Sequence, residues 1–175
     1  MKQIRGYRTS LWNADKKLFS HIWSDDENRF TDVHFWGGGN GWAAAAFAII
    51  YEILPDNQQT YKTEIAGYLV ELLEGLQANV RPDGLFNNNV GEADTFVETN
   101  LSQMTAFAVF KSVKTGAIDK KYLSFAKKLK EGALAKVDEY GYVQGAAGSP
   151  FFNSPGTSTE AQSFLIMMLA AEEKI

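Results

Sequence analysis

Two kinds of helical segment alternate along the chain. Trp42 to Leu54, Leu101 to Phe110 and Ala161 to Ala171 are apolar or small nearly all round, the pattern of a helix enclosed on every side. Between them, Tyr61, Ile65, Tyr68, Leu69, Leu72, Leu73 and Leu76 fall on one stripe, with Lys62, Glu64, Glu71 and Glu74 away from it. Tyr122, Phe125, Leu129, Ala133 and Val137 repeat that arrangement. The alternation predicts an inner layer of buried helices and an outer layer of amphipathic ones, with Met1 to Trp12 as the tail of a first outer helix. Asp56 with Gln59, Thr95 with Glu98, and Thr157 with Glu160 have capping-box spacing, so Glu98 and Glu160 read as helix-end residues before they read as catalytic acids.

Each outer helix is followed by a turn bearing an apolar pair, then a polar or Gly-rich loop, then an inner helix. The pairs are Leu18/Phe19, Leu85/Phe86 and Tyr142/Val143, each expected as a short extended segment. The period is roughly 60 residues, longer than common helical solenoid repeats. Inner and outer helices joined in this way describe an all-α fold of the α/α toroid type, with three helical hairpins. A closed ring of six hairpins would need about twice this length on the same count.

Composition narrows the function classes. The 175 residues suffice for a single domain, 1–175, with a real core. A net charge of −4 gives no electrostatic reason for a nucleic-acid partner, and the lysines from Lys111 to Lys136 read as a solvated helix face. Absence of cysteine removes disulfides, a thiol nucleophile and thiolate metal sites. Two histidines, His21 and His34, separated by an acidic loop fall short of a metal ligand set, and nothing calls for a cofactor. No signal segment or bilayer-length apolar run is present in the sequence, so no membrane contact and a cytoplasmic location are expected.

The stretch Trp36-Gly37-Gly38-Gly39-Asn40-Gly41-Trp42 sets four glycines and an asparagine between two tryptophans. It is no P-loop, since no Gly-Lys-Ser/Thr follows, and Trp42 occupies the third glycine position of a dinucleotide fingerprint. Flexible backbone beside rigid apolar area suits a ligand platform. Trp36 and Trp42 are either ligand-facing rings or core aromatics at a helix start. Asn40 can donate and accept, and it also tolerates a left-handed turn. His34, among apolar neighbours, reads as a core residue.

With Leu18-Phe19-Ser20-His21-Ile22-Trp23 before it, this stretch resembles the signature of glycoside hydrolase family 105, the unsaturated rhamnogalacturonyl hydrolases, close kin of the family 88 unsaturated glucuronyl hydrolases. Asp83-Gly84-Leu85-Phe86, Glu98-Thr99-Asn100, Gly116, the turn from Tyr140 to Gly145 and Glu160-Ala161-Gln162-Ser163-Phe164-Leu165 follow in the family's order. The likeness covers essentially the whole chain but maps onto the C-terminal half of a family member. It implies half of an (α/α)6 barrel, part of an enzyme that hydrates the C4=C5 vinyl ether of an unsaturated uronic acid oligosaccharide, as in pectin degradation. It also implies that the proton-donating aspartate lies on the other half, so that the isolated chain is inactive and its catalytic residues are unknown.

What the resemblance transfers residue by residue is a substrate-binding wall: His21, Trp36, Asn40 and Trp42. His21 would donate to a uronate carboxylate or hydroxyl, or merely tie its loop. Gly38 stands where the pattern has arginine, which removes a fork of donors for the carboxylate. Three alternatives stay open. The chain is a sugar-binding or assembly module that pairs with a separately encoded N-terminal half, it associates with itself to cover its uncovered inner helices, or it is a helical-toroid enzyme of other chemistry, such as an epimerase or mannan hydrolase.

Overall fold

Three helices form an inner row in the computed structural model of the chain, which describes residues 1–149 and 151–175: α2 (Gly37–Ile53), α4 (Asn100–Lys114) and α6 (Thr159–Glu172). Helix α4 lies between α2 and α6. Behind them stand α3 (Gln59–Asn79), packed on α2, and α5 (Leu123–Leu134), packed on α4. The inner and outer layers are those the apolar pattern predicts. Every α4 residue from Asn100 to Phe110 is buried, because neighbours close on it from three sides. Helix α1 (Lys2–Leu11) buries no residue fully; Ile4 and Leu11 pack against the core, and two arginines reach α3. Arg5 donates twice to Glu64 at 2.7 Å, Arg8 pairs with Glu71, and the Arg8 guanidinium lies 4.1 Å from the Trp12 ring and 4.2 Å from that of Tyr68.

The connections are four two-stranded antiparallel ribbons: β1 (Trp12–Asn13) with β2 (Leu18–Phe19), β3 (Ile22–Ser24) with β4 (Arg29–Asp32), β5 (Phe86–Asn87) with β6 (Val97–Glu98), and β7 (Ala146–Gly148) with β8 (Phe151–Gly156). Leu18/Phe19 is extended as expected. The second segment begins one residue later than expected, and the third reduces to a bridge between Val143 and Val137. Ribbons β3–β4 and β7–β8 carry no repeat signal in the sequence. The first is joined across strands by Trp23 and Phe30, edge-on at 5.0 Å, the kind of aromatic pair that stabilises a short hairpin.

Helix ends depart from the expected boxes. Thr95 and Thr157 are not caps: Ser158 caps α6, accepting the Ala161 N–H at 3.1 Å, and α3 starts without a side-chain cap. Glu98 does serve a helix start, but from outside it. Its carboxyl accepts the N–H groups of Asn100 and Leu101, both at 2.8 Å, and that of Ala147 in β7 at 3.2 Å. Glu160 accepts from the Asn100 side chain at 2.7 Å. Burial pushes the Glu98 carboxyl up to about 7 against the pull of its three amides, with Glu160 adding to the rise.

Two glycines explain how the layers meet the turns. A methyl group on Gly75 of α3 would overlap the Lys17 carbonyl oxygen in the β1–β2 turn, and one on Gly132 of α5 would overlap that of Asp83 in the next turn. Each outer helix therefore seats the preceding turn on a bare backbone. Gly75→Ala and Gly132→Ala should each cost about 1–3 kcal/mol, the range for overpacking a rigid contact. Gly67→Ala, also on α3 but with open space around it, should be neutral or stabilising by up to about 1 kcal/mol. Urea unfolding of the three variants decides, and equal effects at 67 and 75 would remove the backbone-contact explanation.

Glu98 yields a pH prediction. Its folded pKa lies above the ordinary 4.5, so the folded state holds the proton more tightly. The resulting stability is whole below pH 4.5 and is lost as pH rises to about 7. The loss should amount to about 3 kcal/mol. Chemical unfolding across this window should show that slope in the native chain and not in Glu98→Gln; identical slopes would refute it.

Candidate functional site

The start of α2 places most of the site. The helix begins at Gly37, not at Trp42 as the apolar run implies, because the glycines lie inside its first turns. The Gly37 N–H donates to the Asn88 carbonyl at 2.7 Å, the Val90 N–H donates to Phe35 at 2.9 Å, and Trp36 bridges Asn89. These bonds fix Trp36 against the segment after β5. A Cβ on Gly38 would stand 2.5 Å from Cζ2 and 2.6 Å from Cη2 of Trp36. The Trp36 indole is therefore folded over the bare Gly38 backbone. Gly41 serves a different contact, since a methyl there would run into Met104 of α4. The glycines thus let an indole and a neighbouring helix approach α2 closely.

His21, Trp36 and Trp42 all line a mostly apolar cleft of about 460 Å³ between α1 and α2. His21 and Trp36 also face a second, more polar basin of about 680 Å³, shared with Asp32, Asn88, Asn89, Phe152 and Asn153. The two rings are 4.8 Å apart between centroids, and Phe152 meets Trp36 edge-on at 6.1 Å. Trp42 is 49% exposed and edge-on to Phe164 at 5.2 Å, so it is not a core aromatic.

Asn40 is the exception among the expected site residues. It is fully buried; its Oδ1 accepts the Phe19 N–H at 2.9 Å, and its Nδ2 donates to the carbonyls of Phe19 and Trp36 at 3.0 Å. With both N–H groups used and the oxygen occupied behind the wall, it fastens β2 to α2 and presents nothing to a ligand. It stands within the helix, not in a left-handed turn.

Each histidine has its own carboxylate. His21 Nδ1 lies 2.9 Å from Asp32 Oδ2, and His34 Nδ1 lies 2.6 Å from Glu92 Oε1. Burial raises the Asp32 pKa, but the bonds from His21 and from the His34 amide outweigh it and hold this carboxyl below its ordinary value. An ionised carboxylate only accepts, so Nδ1 of His21 carries the proton and Nε2 is left as the other ring nitrogen for a ligand. Glu92 raises the His34 imidazole above its ordinary pKa, through its hydrogen bond and its charge. His34 is exposed on the rim, contrary to the core position its apolar neighbours implied. Among the described residues no group of three or more His, Cys, Asp or Glu side chains could hold a metal ion.

Asp32, Asn88, Asn89 and Phe152 escaped the reading of the sequence. One signal was available: Leu85-Phe86-Asn87-Asn88 stands in the repeat where Leu18-Phe19-Ser20-His21 stands, and the two fourth positions face one basin. Asn88 Oδ1 is buried without a hydrogen-bond partner among the described residues. The wall thus combines aromatic surface, amide groups and one oriented imidazole, a set that suits a polyhydroxylated ring.

Comparison with known proteins agrees with this architecture. The chain is 24% identical over 143 residues to the unsaturated rhamnogalacturonyl hydrolase YesR of Bacillus subtilis (strain 168), covering 82% of this chain and 40% of that protein. A possible GH105 member from Salmonella enterica serovar Paratyphi A superposes with a TM-score of 0.86 at 18% identity, over 99% of this chain and 48% of that one. The unsaturated glucuronyl hydrolase of Bacillus sp. GL1, described as responsible for glycosaminoglycan degradation, gives 0.71 at 14% identity, over 96% and 50%. The chain thus spans about half the length of these relatives, and its fold is half of their α/α toroid. Residues 1–174 match the profile of Glycosyl Hydrolase Family 88, and the chain belongs to that family.

Proposed function

We propose that this chain forms a substrate-binding wall of an α/α-toroid hydrolase that acts on unsaturated uronate oligosaccharides. The observation that carries the reading is the meeting of Trp36 and the Asp32-oriented His21 at the edge shared by the two cavities. Trp36 offers apolar area to a sugar ring, His21 Nε2 takes a hydroxyl, and half-exposed Trp42 extends the aromatic surface along the cleft. YesR and the Bacillus sp. GL1 protein are named for hydrolysing unsaturated rhamnogalacturonyl and glucuronyl groups, which supports the substrate class.

Proton donation to the vinyl ether is assigned to a group outside these residues. The carboxyl facing the basin, Asp32, is held low by its bonds from His21 and His34, against its burial, and low pKa makes a poor proton donor. Glu98 has its proton available near neutrality but is sealed behind the α4 amides. The chain also exposes apolar side chains on its first and last inner helices: Ile53 of α2 at 69% and Ile166 of α6 at 64%. In the isolated chain we assign the cover of these flanks to a second copy, α6 of one beside α2 of the other, standing in for the half-ring that would carry the proton donor.

Two measurements test the proposal. The purified chain should leave the ultraviolet absorbance of an unsaturated rhamnogalacturonan disaccharide unchanged at every pH; turnover that disappears in Asp32→Asn or Glu98→Gln would overturn the assignment of the donor. Light scattering should give a dimer across the micromolar range, and a monomer that binds no apolar dye would overturn the pairing.

A further inference from the structure

The charge around the basin restricts which part of a saccharide the wall can hold. Its lining residues His21, Asp32, Trp36, Asn88, Asn89, Phe152 and Asn153 include no lysine or arginine. Several cations are paired elsewhere: Arg5 and Arg8 with α3, Lys111 with Glu52, Lys130 with Glu172, and Arg81 with Asp83. Arg29, on β4 with Asp32, pairs with Glu27 at the ribbon tip. The two imidazoles are no exception, because a protonated His21 faces Asp32 and a protonated His34 faces Glu92. Each pair then sums to zero charge, so neither presents an uncompensated cation.

Position 38 closes the remaining route to a counter-charge. It is the helix position beneath the Trp36 indole, and any side chain beyond hydrogen collides with that ring. The space a cationic stem would take is filled by aromatic surface, while the amides of Asn88, Asn89 and Asn153 can exchange hydrogen bonds with neutral hydroxyls. A carboxylate placed here would meet the Asp32 carboxylate already present and lose its water without a charge partner.

Resting on the saccharide-wall reading above, we propose that this wall holds the uncharged hydroxyl and apolar faces of a saccharide and supplies no counter-charge to a uronate carboxylate. The acid group of an unsaturated uronate is then held by residues outside this chain, and this wall sets preference by sugar shape.

The test compares galacturonosyl-rhamnose with its carboxyl-reduced form, galactosyl-rhamnose, by titration calorimetry on the native chain at low and high salt. The two should bind within about threefold of each other and change little with salt, since no ion pair is there to be screened. A preference of about tenfold or more for the acid form, collapsing as salt is added, would overturn this inference and leave the saccharide reading standing. Failure of both to bind would overturn the saccharide reading and the inference with it. Gly38→Ala, which drives the indole off the wall, should weaken both ligands together; a loss confined to the acid form would count against the proposal. If that variant melts early, the salt series on the native chain still decides.

Discussion

Three backbone N–H groups converge on one buried carboxyl, Glu98, and much of the remaining structure hangs on that junction. A helix enclosed as α4 is cannot satisfy its first amides with water. Glu98 answers two of them and takes a third bond from Ala147 in β7. The adjoining Thr99 fixes the same strand approach, donating through its N–H to Gly145 and through its hydroxyl to Gln144. The ribbon that begins there returns through β8, which carries Phe152 to the edge of Trp36. One carboxyl thereby couples the central helix to the far wall of the basin, and the cost of desolvating it is seen in its raised pKa.

The basin itself is a product of repetition. Successive hairpins bring equivalent turn positions to one end of the helix row, and His21 and Asn88 arrive there as counterparts. Asn40 and the bare backbone of Gly38 then settle the exposed surface. The first locks β2 to the start of α2, and the second lets Trp36 lie flat over that start. A binding surface of this kind needs rigid support more than chemistry of its own. That agrees with a chain whose basin carboxyl, Asp32, is bonded to His21 and whose raised-pKa acid, Glu98, is sealed.

The apolar flanks of α2 and α6 follow from the same architecture. Inner helices of a toroid need neighbours on both sides, and α4 has them while α2 and α6 each have one. Their all-round apolar sequences are therefore fully explained only for α4. The half-length match to every relative compared above expresses the same fact at the level of whole chains.

The sequence by itself determined the layer of each helix, the turns between them and the family. Those depend on local periodicity and on the short signature around Trp36, which are visible residue by residue. It also marked His21, Trp36 and Trp42 as neighbours of one cleft. Only the tertiary structure decided that the glycines are helical, that Asn40 faces inward, that His34 is exposed, and that Asp32, Asn88 and Phe152 complete the basin. Each of these turns on contacts between residues far apart in the chain: Trp36 over Gly38 is arranged by bonds to Asn88 and Asn89, and Glu98 meets Ala147 across two hairpins. Periodicity carries no record of such contacts, because the burial of a polar or small residue is set by what the rest of the fold brings against it.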